Sequence, residues 1–278
     1  MAMSTPSPLL RPYDRDQLRQ EFRSAHPFPH IKMDSFLQPD VAREIAAAYP
    51  TFDNALSMGF QFNALNEQRK VQVTDSTRFP GPVARLNEAL ASPAFLKDLE
   101  YITGIPNLLA DARLAGGGMH LTGPGGRLDV HVDFNFDENI KLHRRLNILL
   151  YLNPVWEPTW GGEIELWDKQ VKNRGVNLLP LLNRCLIFQT DETSYHGVSP
   201  ITGPPNVERK SFAAYYYTKE PPPNWSGHIH STVFKARPDE KLRGYVLMPV
   251  QRLRDEVRQG LRRVKNRVKR MLIGIGPE

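Results

Sequence analysis

The rhythm of apolar and polar positions takes three forms along this chain of 278 residues. Up to about residue 110 it is helical with short interruptions. The stretch 14–25, DRDQLRQEFRSA, reads as a short polar helix. The stretch 28–37, FPHIKMDSFL, alternates like a strand. Pro39 then suits the first turn of a helix running to about Tyr49, with Pro50 as its stop. Residues 81–91 are expected to be helical. Ser92 and Pro93 signal the cap and first turn of a further helix, with Phe95, Leu96, Leu99 and Ile102 on one face and Gly104 at its end.

From residue 111 the texture is that of strands. GGGMHLTGPGGRLDV reads as a glycine-rich turn region leading into a strand, and LNILLYLN (146–153) is a continuous apolar run of strand length. GGEIELWD (161–168), NRCLIFQT (183–190), SYHGVSPI (194–201) and SFAAYYYT (211–218) follow at short intervals. Short strands broken by Gly, Pro and Asn turns predict an all-β sandwich or barrel. Over 246–272, Val250, Leu253, Val257, Leu261, Val264, Val268 and Leu272 recur at steps of three and four, which predicts an amphipathic helix. The expected organisation is a mostly helical support over 1–110, a β core over 111–235 and a helical tail over 236–278.

Charge belongs to the tail. Nine basic residues lie between Arg252 and Arg270, opposed only by Asp255 and Glu256, so the net +6 is concentrated there and the rest is close to neutral. Three readings of the tail remain open: attachment to an anionic membrane surface, contact with nucleic acid, or packing of its apolar stripe on the body or a partner. It lacks interleaved aromatics, which weakens the nucleic-acid reading. The single cysteine, Cys185, excludes an internal disulfide and a thiolate zinc site, and reads as a small core residue. No apolar run approaches the roughly 18 residues of a membrane span, and no basic start followed by an apolar stretch marks a signal peptide. A reducing cytoplasm, with membrane association through the tail as a variant, is the expected compartment.

Candidate chemistry centres on His131, Asp133 and His196. Residues two apart on a strand face the same side, so His131 and Asp133 can converge on one ion, and His196 lies in another strand of the same region. Two imidazoles and a carboxylate form a facial triad that leaves positions open on Fe(II). From spacing alone, a strand-end histidine beside a solvated aspartate is an equal alternative. Arg209 heads the strand SFAAYYYT. It is either a surface charge between strands or a buried cation that needs an anionic partner.

GGGMHLTGPGGRLDVHVDFN, RRLNILLYLN, WGGEIELWD, SYHGVSP and ERKSFAAYYYT, in this order, resemble the 2-oxoglutarate- and Fe(II)-dependent dioxygenases of the prolyl-4-hydroxylase-like group. The blocks cover about residues 111–218. The resemblance implies a double-stranded β-helix (jelly roll) with a helical N-terminal support. It implies His131, Asp133 and His196 as iron ligands, Arg209 on the distal carboxylate of 2-oxoglutarate, Tyr151 helping to hold that carboxylate, and Asn147 lining the pocket. Fe(II), 2-oxoglutarate and dioxygen would then hydroxylate a peptidyl residue such as proline, or a small metabolite or glycan precursor, releasing succinate and carbon dioxide. Collagen-type prolyl hydroxylases use lysine for the co-substrate. Here Arg209 and Lys210 are adjacent, so one faces in and one out, and Lys210 is expected to point outward. The alternative from another class is a metal- and 2-oxoglutarate-binding sensor without turnover, targeted by its tail.

Other residues are assigned as follows. His120 is expected to be structural. His143, Arg144 and Arg145 are placed in a loop near the site, either recognising a polar substrate or solvated. His228 and His230 lack a third ligand nearby. Trp156 and Trp160 sit in a loop, packing or lining a groove, and Trp167 is expected to pack.

Overall fold

The computed structural model describes residues 9–223 and 225–248. The predicted tail helix lies outside them from residue 249 onward, with all of its basic residues from Arg252 to Arg270. Among the described residues no helix is long and apolar enough to cross a membrane.

The expected helices form where their caps are. Helix α1, Arg15–Ser24, is capped by the Asp14 carboxylate, which accepts from the amides of Asp16 and Gln17. Strand β1 is His30–Met33. Helix α2, Pro39–Ala48, starts on its proline, and α3 is Phe52–Leu56. Two strands then interrupt the support: β2, Phe60–Phe62, and β3, Glu67–Val73. The mostly helical reading of residues 1–110 missed both. The sequence of β3, EQRKVQV, shows little apolar alternation because its inward face points into a polar cavity, while Val71 and Val73 fill the core on the other side. Helix α4 is Gly81–Leu90. Helix α5, Pro93–Thr103, is capped by the Ser92 hydroxyl and ended by Gly104 at φ 73°, in the left-handed region that glycine tolerates.

Strands β4, Leu109–Ala110, and β5, Gly118–Val132, open the core. After them come β6, Phe136–Asp137, β7, Leu142–Tyr151, β8, Ile164–Trp167, and β9, Arg174–Leu178. The last four are β10, Cys185–Gln189, β11, His196–Val198, β12, Arg209–Thr218, and β13, Val233–Phe234. One antiparallel sheet runs β1-β10-β7-β12-β5-β11-β8-β9 and curls on itself at β5. The first part of β5 pairs with β12 (Lys210 opposite Leu121), and its last part pairs with β11 (His196 opposite His131). The two halves, β10-β7-β12-β5 and β5-β11-β8-β9, make the double-stranded β-helix.

The glycine-rich stretch is therefore mostly strand, where a turn region was expected, and its glycines serve the fold-over. A Cβ on Gly126 would lie 2.8 Å from the Gly123 carbonyl oxygen and 2.9 Å from that of Gln68. The backbones approach too closely there for any side chain.

Alternation sorts each strand of the first half into two faces. Leu146, Ile148 and Leu150 of β7, Met119 and Leu121 of β5, and Phe212, Ala214 and Tyr216 of β12 pack with the helices in one core. The opposite faces line the space between the two halves. The apolar run of β7 is buried on both faces and so never alternates. The helical support is tied on by buried hydroxyls: Tyr49 donates to the Ser211 carbonyl (2.8 Å) and Tyr216 to that of Leu90 (2.9 Å). Across the loop before α2, buried Asn183 accepts from the Leu37 amide (2.7 Å) and donates to the Leu37 carbonyl (2.8 Å). Its own φ is 64°. Asn183→Ala removes both bonds and puts a Cβ residue without local hydrogen bonding in a left-handed conformation. It should lower unfolding free energy by about 2–4 kcal/mol in urea titrations, and Asn183→Gly should recover the backbone part.

Candidate metal centre

Strand ends bring the triad together. His131 is next to last in β5, Asp133 follows that strand, and His196 opens β11 directly opposite His131 in register. Both histidines are buried. His131 Nε2 lies 3.5 Å from Asp133 Oδ1, and His196 Nε2 lies 3.5 Å from Asp133 Oδ2. The possible ligand atoms of the three residues all fall within 4.8 Å of one another. Each imidazole turns its other nitrogen back along its own strand: His131 Nδ1 sits 2.9 Å from the Asp129 carbonyl and His196 Nδ1 2.9 Å from that of Ser194. A carbonyl only accepts, so Nδ1 carries the proton and Nε2 presents its lone pair to the centre. Burial, reinforced by neighbouring His131, drives the pKa of His196 down to about 4 and keeps its ring neutral, as a ligand must be. Burial works against ionisation of Asp133. The charge of Arg144 outweighs it and holds the carboxyl well below its ordinary range.

Arg144 and Asn147 complete the anchoring of Asp133. Asn147 Nδ2 donates to Asp133 Oδ2 at 2.8 Å. Arg144 lies 3.1 Å from the same oxygen and donates to Asn147 Oδ1 from Nε (3.0 Å) and Nη2 (2.8 Å). Its guanidinium also covers the Tyr215 ring at 3.6 Å. Residues three apart on a regular strand face opposite sides, so alternation gives no reason to join these two. The structure joins them by a bulge. Tyr216 of β12 pairs with Leu146 and Tyr217 with Arg144, which leaves Arg145 as the extra residue. The expected loop at 143–145 is thus strand, and His143, Arg144 and Arg145 are buried, not solvated. Asn147 does line the pocket, but its side chain is committed to Asp133 and Arg144.

Arg209 faces the same cavity from β12. It is 5% exposed, its Nε donates to the Gly162 carbonyl (2.7 Å), and its guanidinium sits 4.9 Å over the Tyr151 ring. Among the described residues no carboxylate pairs with it. Tyr151 is fully buried beneath it, with a hydroxyl that lacks a hydrogen-bond partner and a pKa pushed up to about 12 by burial. Lys210 lies outside the cavity lining and pairs with Glu208 at 3.4 Å, as the alternation predicted. The cavity holds about 340 Å³. Two imidazoles and an ionised carboxylate, beside a buried arginine that no carboxylate among the described residues pairs with, fit Fe(II) together with a carboxylate-bearing co-substrate.

The comparisons with known proteins agree with this geometry. Residues 117–217 match the family described as the 2OG-Fe(II) oxygenase superfamily. The matched residues hold His131, Asp133, His196 and Arg209. A segment of 78 residues, 27% of this chain, is 31% identical to the prolyl 3-hydroxylase OGFOD1 of Mus musculus and spans 14% of that protein's length. The fold is shared with a prolyl-4-hydroxylase from Pseudomonas putida (17% identity, TM-score 0.53, 74% of this chain and 100% of that one). It is also shared with a Trichoplax adhaerens prolyl hydroxylase solved with a hypoxia inducible factor peptide fragment (17%, TM-score 0.51, 73% and 88%). A third relative in fold is SnoN, a non-heme alpha ketoglutarate dependent epimerase from nogalamycin biosynthesis (12%, TM-score 0.51, 80% and 94%).

Two further supports of the oxygenase centre lie outside the sequence reading. Strand β13 pairs Phe234 with His131, and the Phe234 ring lies 5.4 Å from the imidazole. Arg237 then crosses behind the metal strands. It donates from Nη2 to the carbonyls of Leu128 (3.3 Å) and Val198 (3.0 Å) and from Nε to Glu165 Oε2 (2.7 Å). Those two carbonyls belong to the residues paired where the register of β11 on β5 shifts, so the arginine satisfies what the irregular ladder leaves open.

The remaining assignments resolve simply. His120 lines the cavity, bonded to the Gly116 carbonyl at 3.0 Å. His228 and His230 are tied through their backbones to Asn135. Trp156 and Trp160 pack edge to face away from the cavity, and Trp167 donates to Glu165.

Asn147→Ala should weaken Mn(II) binding, followed by electron paramagnetic resonance, by about 10- to 100-fold, because Asp133 loses a donor and Arg144 its acceptor. Arg237→Gln takes the buried cation from Glu165, which keeps only Arg174 at 2.9 Å, and removes the donor from two carbonyls. A loss of about 2–4 kcal/mol in chemical unfolding is expected.

Proposed function

We propose that the protein hydroxylates an unactivated C–H bond, in a peptidyl residue such as proline or in a small metabolite, at the expense of 2-oxoglutarate. The observation that carries this is the pairing, in one cavity, of the His131–Asp133–His196 set with an Arg209 that has no carboxylate of its own. Fe(II) held there with 2-oxoglutarate supplies dioxygen activation, with succinate and carbon dioxide as co-products.

The chain's own residues bind, orient and exclude water. Arg209 spends Nε on Gly162 and keeps its Nη groups for the distal carboxylate, which a guanidinium can hold bidentately. Tyr151 beneath it supplies a phenol of raised pKa, a donor at neutral pH, to the same anion. Asn147 and Arg144 fix Asp133 and leave the open positions facing the cavity. Leu149, Ile164 and Val198 supply the apolar walls that keep bulk water from the centre. Support for a peptidyl substrate comes from the prolyl hydroxylases among the relatives in sequence and fold.

The anaerobic complex with Fe(II) and 2-oxoglutarate tests the centre without knowledge of the substrate. A visible metal-to-ligand charge-transfer band is expected. It should vanish in His131→Ala and need at least tenfold more 2-oxoglutarate in Arg209→Ala, which loses a charged hydrogen-bond pair (about 1.5–3 kcal/mol). No band with iron demonstrably loaded would sink the reading. Succinate release coupled to oxidation of a prolyl peptide then separates an enzyme from a sensor without turnover.

A further inference from the structure

We propose that a second cavity, on the far side of Arg144 from the metal centre, is a binding site for a ligand carrying a single carboxylate. It holds about 450 Å³ and reaches from Thr103 and Ile105 at the end of α5 to Pro222, Pro223 and Trp225. It shares the Arg144 side chain with the metal cavity, while its other walls come from different segments.

Arg145 carries the inference. It is 8% exposed, and among the described residues its side chain makes one hydrogen bond, from Nη1 to the Thr218 hydroxyl at 2.9 Å. No carboxylate among the described residues lies within ion-pair distance of it. Burial alone depresses its pKa, which is what a desolvated cation without a counter-charge undergoes. Arg144, next to it on β7, shows the contrast: an aspartate, an asparagine and an aromatic face answer that guanidinium. A buried charge without a partner is costly, and an anion that completes its fork recovers that cost on binding.

A second group points the same way. Thr190, also in the wall, has a buried hydroxyl without a partner. Its amide donates to the Arg145 carbonyl at 2.9 Å, so the two residues are locked side by side. The hydroxyl has a hydrogen to donate to a carboxylate held by the guanidinium. Trp225 supplies a partly exposed aromatic face, braced edge-on by His143 at 4.8 Å. The volume suits a group of amino-acid size.

Two acids define the class of anion. Asp191 and Glu192 line the same cavity and are turned to donors of their own. Asp191 Oδ1 accepts from the Thr193 amide and hydroxyl at 2.7 Å each, Asp191 Oδ2 accepts from Gln189 at 3.1 Å, and Glu192 accepts from the Ser226 hydroxyl. Their charge repels a polyanion from the mouth, while one carboxylate on Arg145 is tolerated. The site therefore selects a monocarboxylate over phosphate chains or nucleic acid.

Isothermal titration of the whole chain, without iron or 2-oxoglutarate, tests this with N-acetylalanine, its uncharged amide and pyrophosphate. Saturable one-to-one binding of N-acetylalanine is expected, with no binding of the amide and weaker binding of pyrophosphate. Affinity should fall about tenfold or more in Arg145→Gln and measurably in Thr190→Val, and stay unchanged in Arg209→Ala. Melting temperatures taken alongside identify any variant that fails to fold, and Arg145→Lys, which keeps the charge but loses the fork, supplies an intermediate affinity in that case. Absence of saturation in the parent protein, equal affinity in Arg145→Gln and Thr190→Val, or loss in Arg209→Ala would each overturn the proposal. None of these outcomes bears on the charge-transfer test of the metal centre.

Discussion

Everything in the centre depends on the register of β11 against β5. His196 stands opposite His131, and a slip of one residue would turn one imidazole to the other face of the sheet. Three residues of β11 cannot hold a register by themselves. It is held from outside: β8 pairs on its far edge, β13 pairs with the His131 end of β5, and Arg237 takes the carbonyls that the shift in the ladder leaves open. The bend at Gly123–Gly126 is the other half of the constraint, because it lets one strand serve both halves of the barrel and delivers its last residues over the cavity.

Strand β7 sets the electrostatics of that cavity with a single irregularity. A regular strand would send Arg144 and Asn147 to opposite faces. The bulge brings them to Asp133 together and at the same point lodges Arg145 in a separate cavity. Of the four buried arginines among the described residues, the three on β7 and β12 have three situations. Arg144 is neutralised by Asp133, Arg209 waits in the cavity with a carbonyl and an aromatic ring, and Arg145 has a hydroxyl alone. The same low-dielectric surroundings that make Arg144 an effective clamp make the other two costly until an anion arrives.

Local chemistry was legible in the sequence where local rules decide it. Ser92, Pro39 and Gly104 marked helix ends, and the alternation of His131 with Asp133 and of Arg209 with Lys210 told which side chains share a face. Hidden were the features created by pairing over long separations. Strand β3 alternates only over Lys70-Val71-Gln72-Val73, after a register shift between Gln68 and Lys70, so its period-two signal is too short to announce a strand. The glycines of β5 read as a turn because a folded-over strand and a loop use the same residues. Arg144 read as a loop cation because nothing local announces a bulge, whose position is fixed by Tyr216 and Tyr217 more than 70 residues later. The Tyr151 assignment came from resemblance alone. The structure sets it beneath Arg209, where the alternation of β7 puts an inward side chain.

The origin of the cavity walls explains why reaction and substrate are legible to different degrees. His131, Asp133, His196, Arg209 and the residues that clamp Asp133 all fall within 117–217, the span that matches the oxygenase superfamily. Phe62, Glu67, Lys70 and Gln72 line the same cavity from β2, β3 and their connection, and Thr232 and Phe234 line it from the segment after β12. Those residues lie outside the shared span. A common core with separately supplied walls can keep one oxidative chemistry while the group admitted to it changes, as a prolyl hydroxylase and an epimerase with the same fold illustrate. Glu67, paired with Lys70 at 2.8 Å, adds charge to a lining that also holds the apolar side chains of Leu149 and Ile164, so the polarity of this cavity is set in part by a strand outside the shared span.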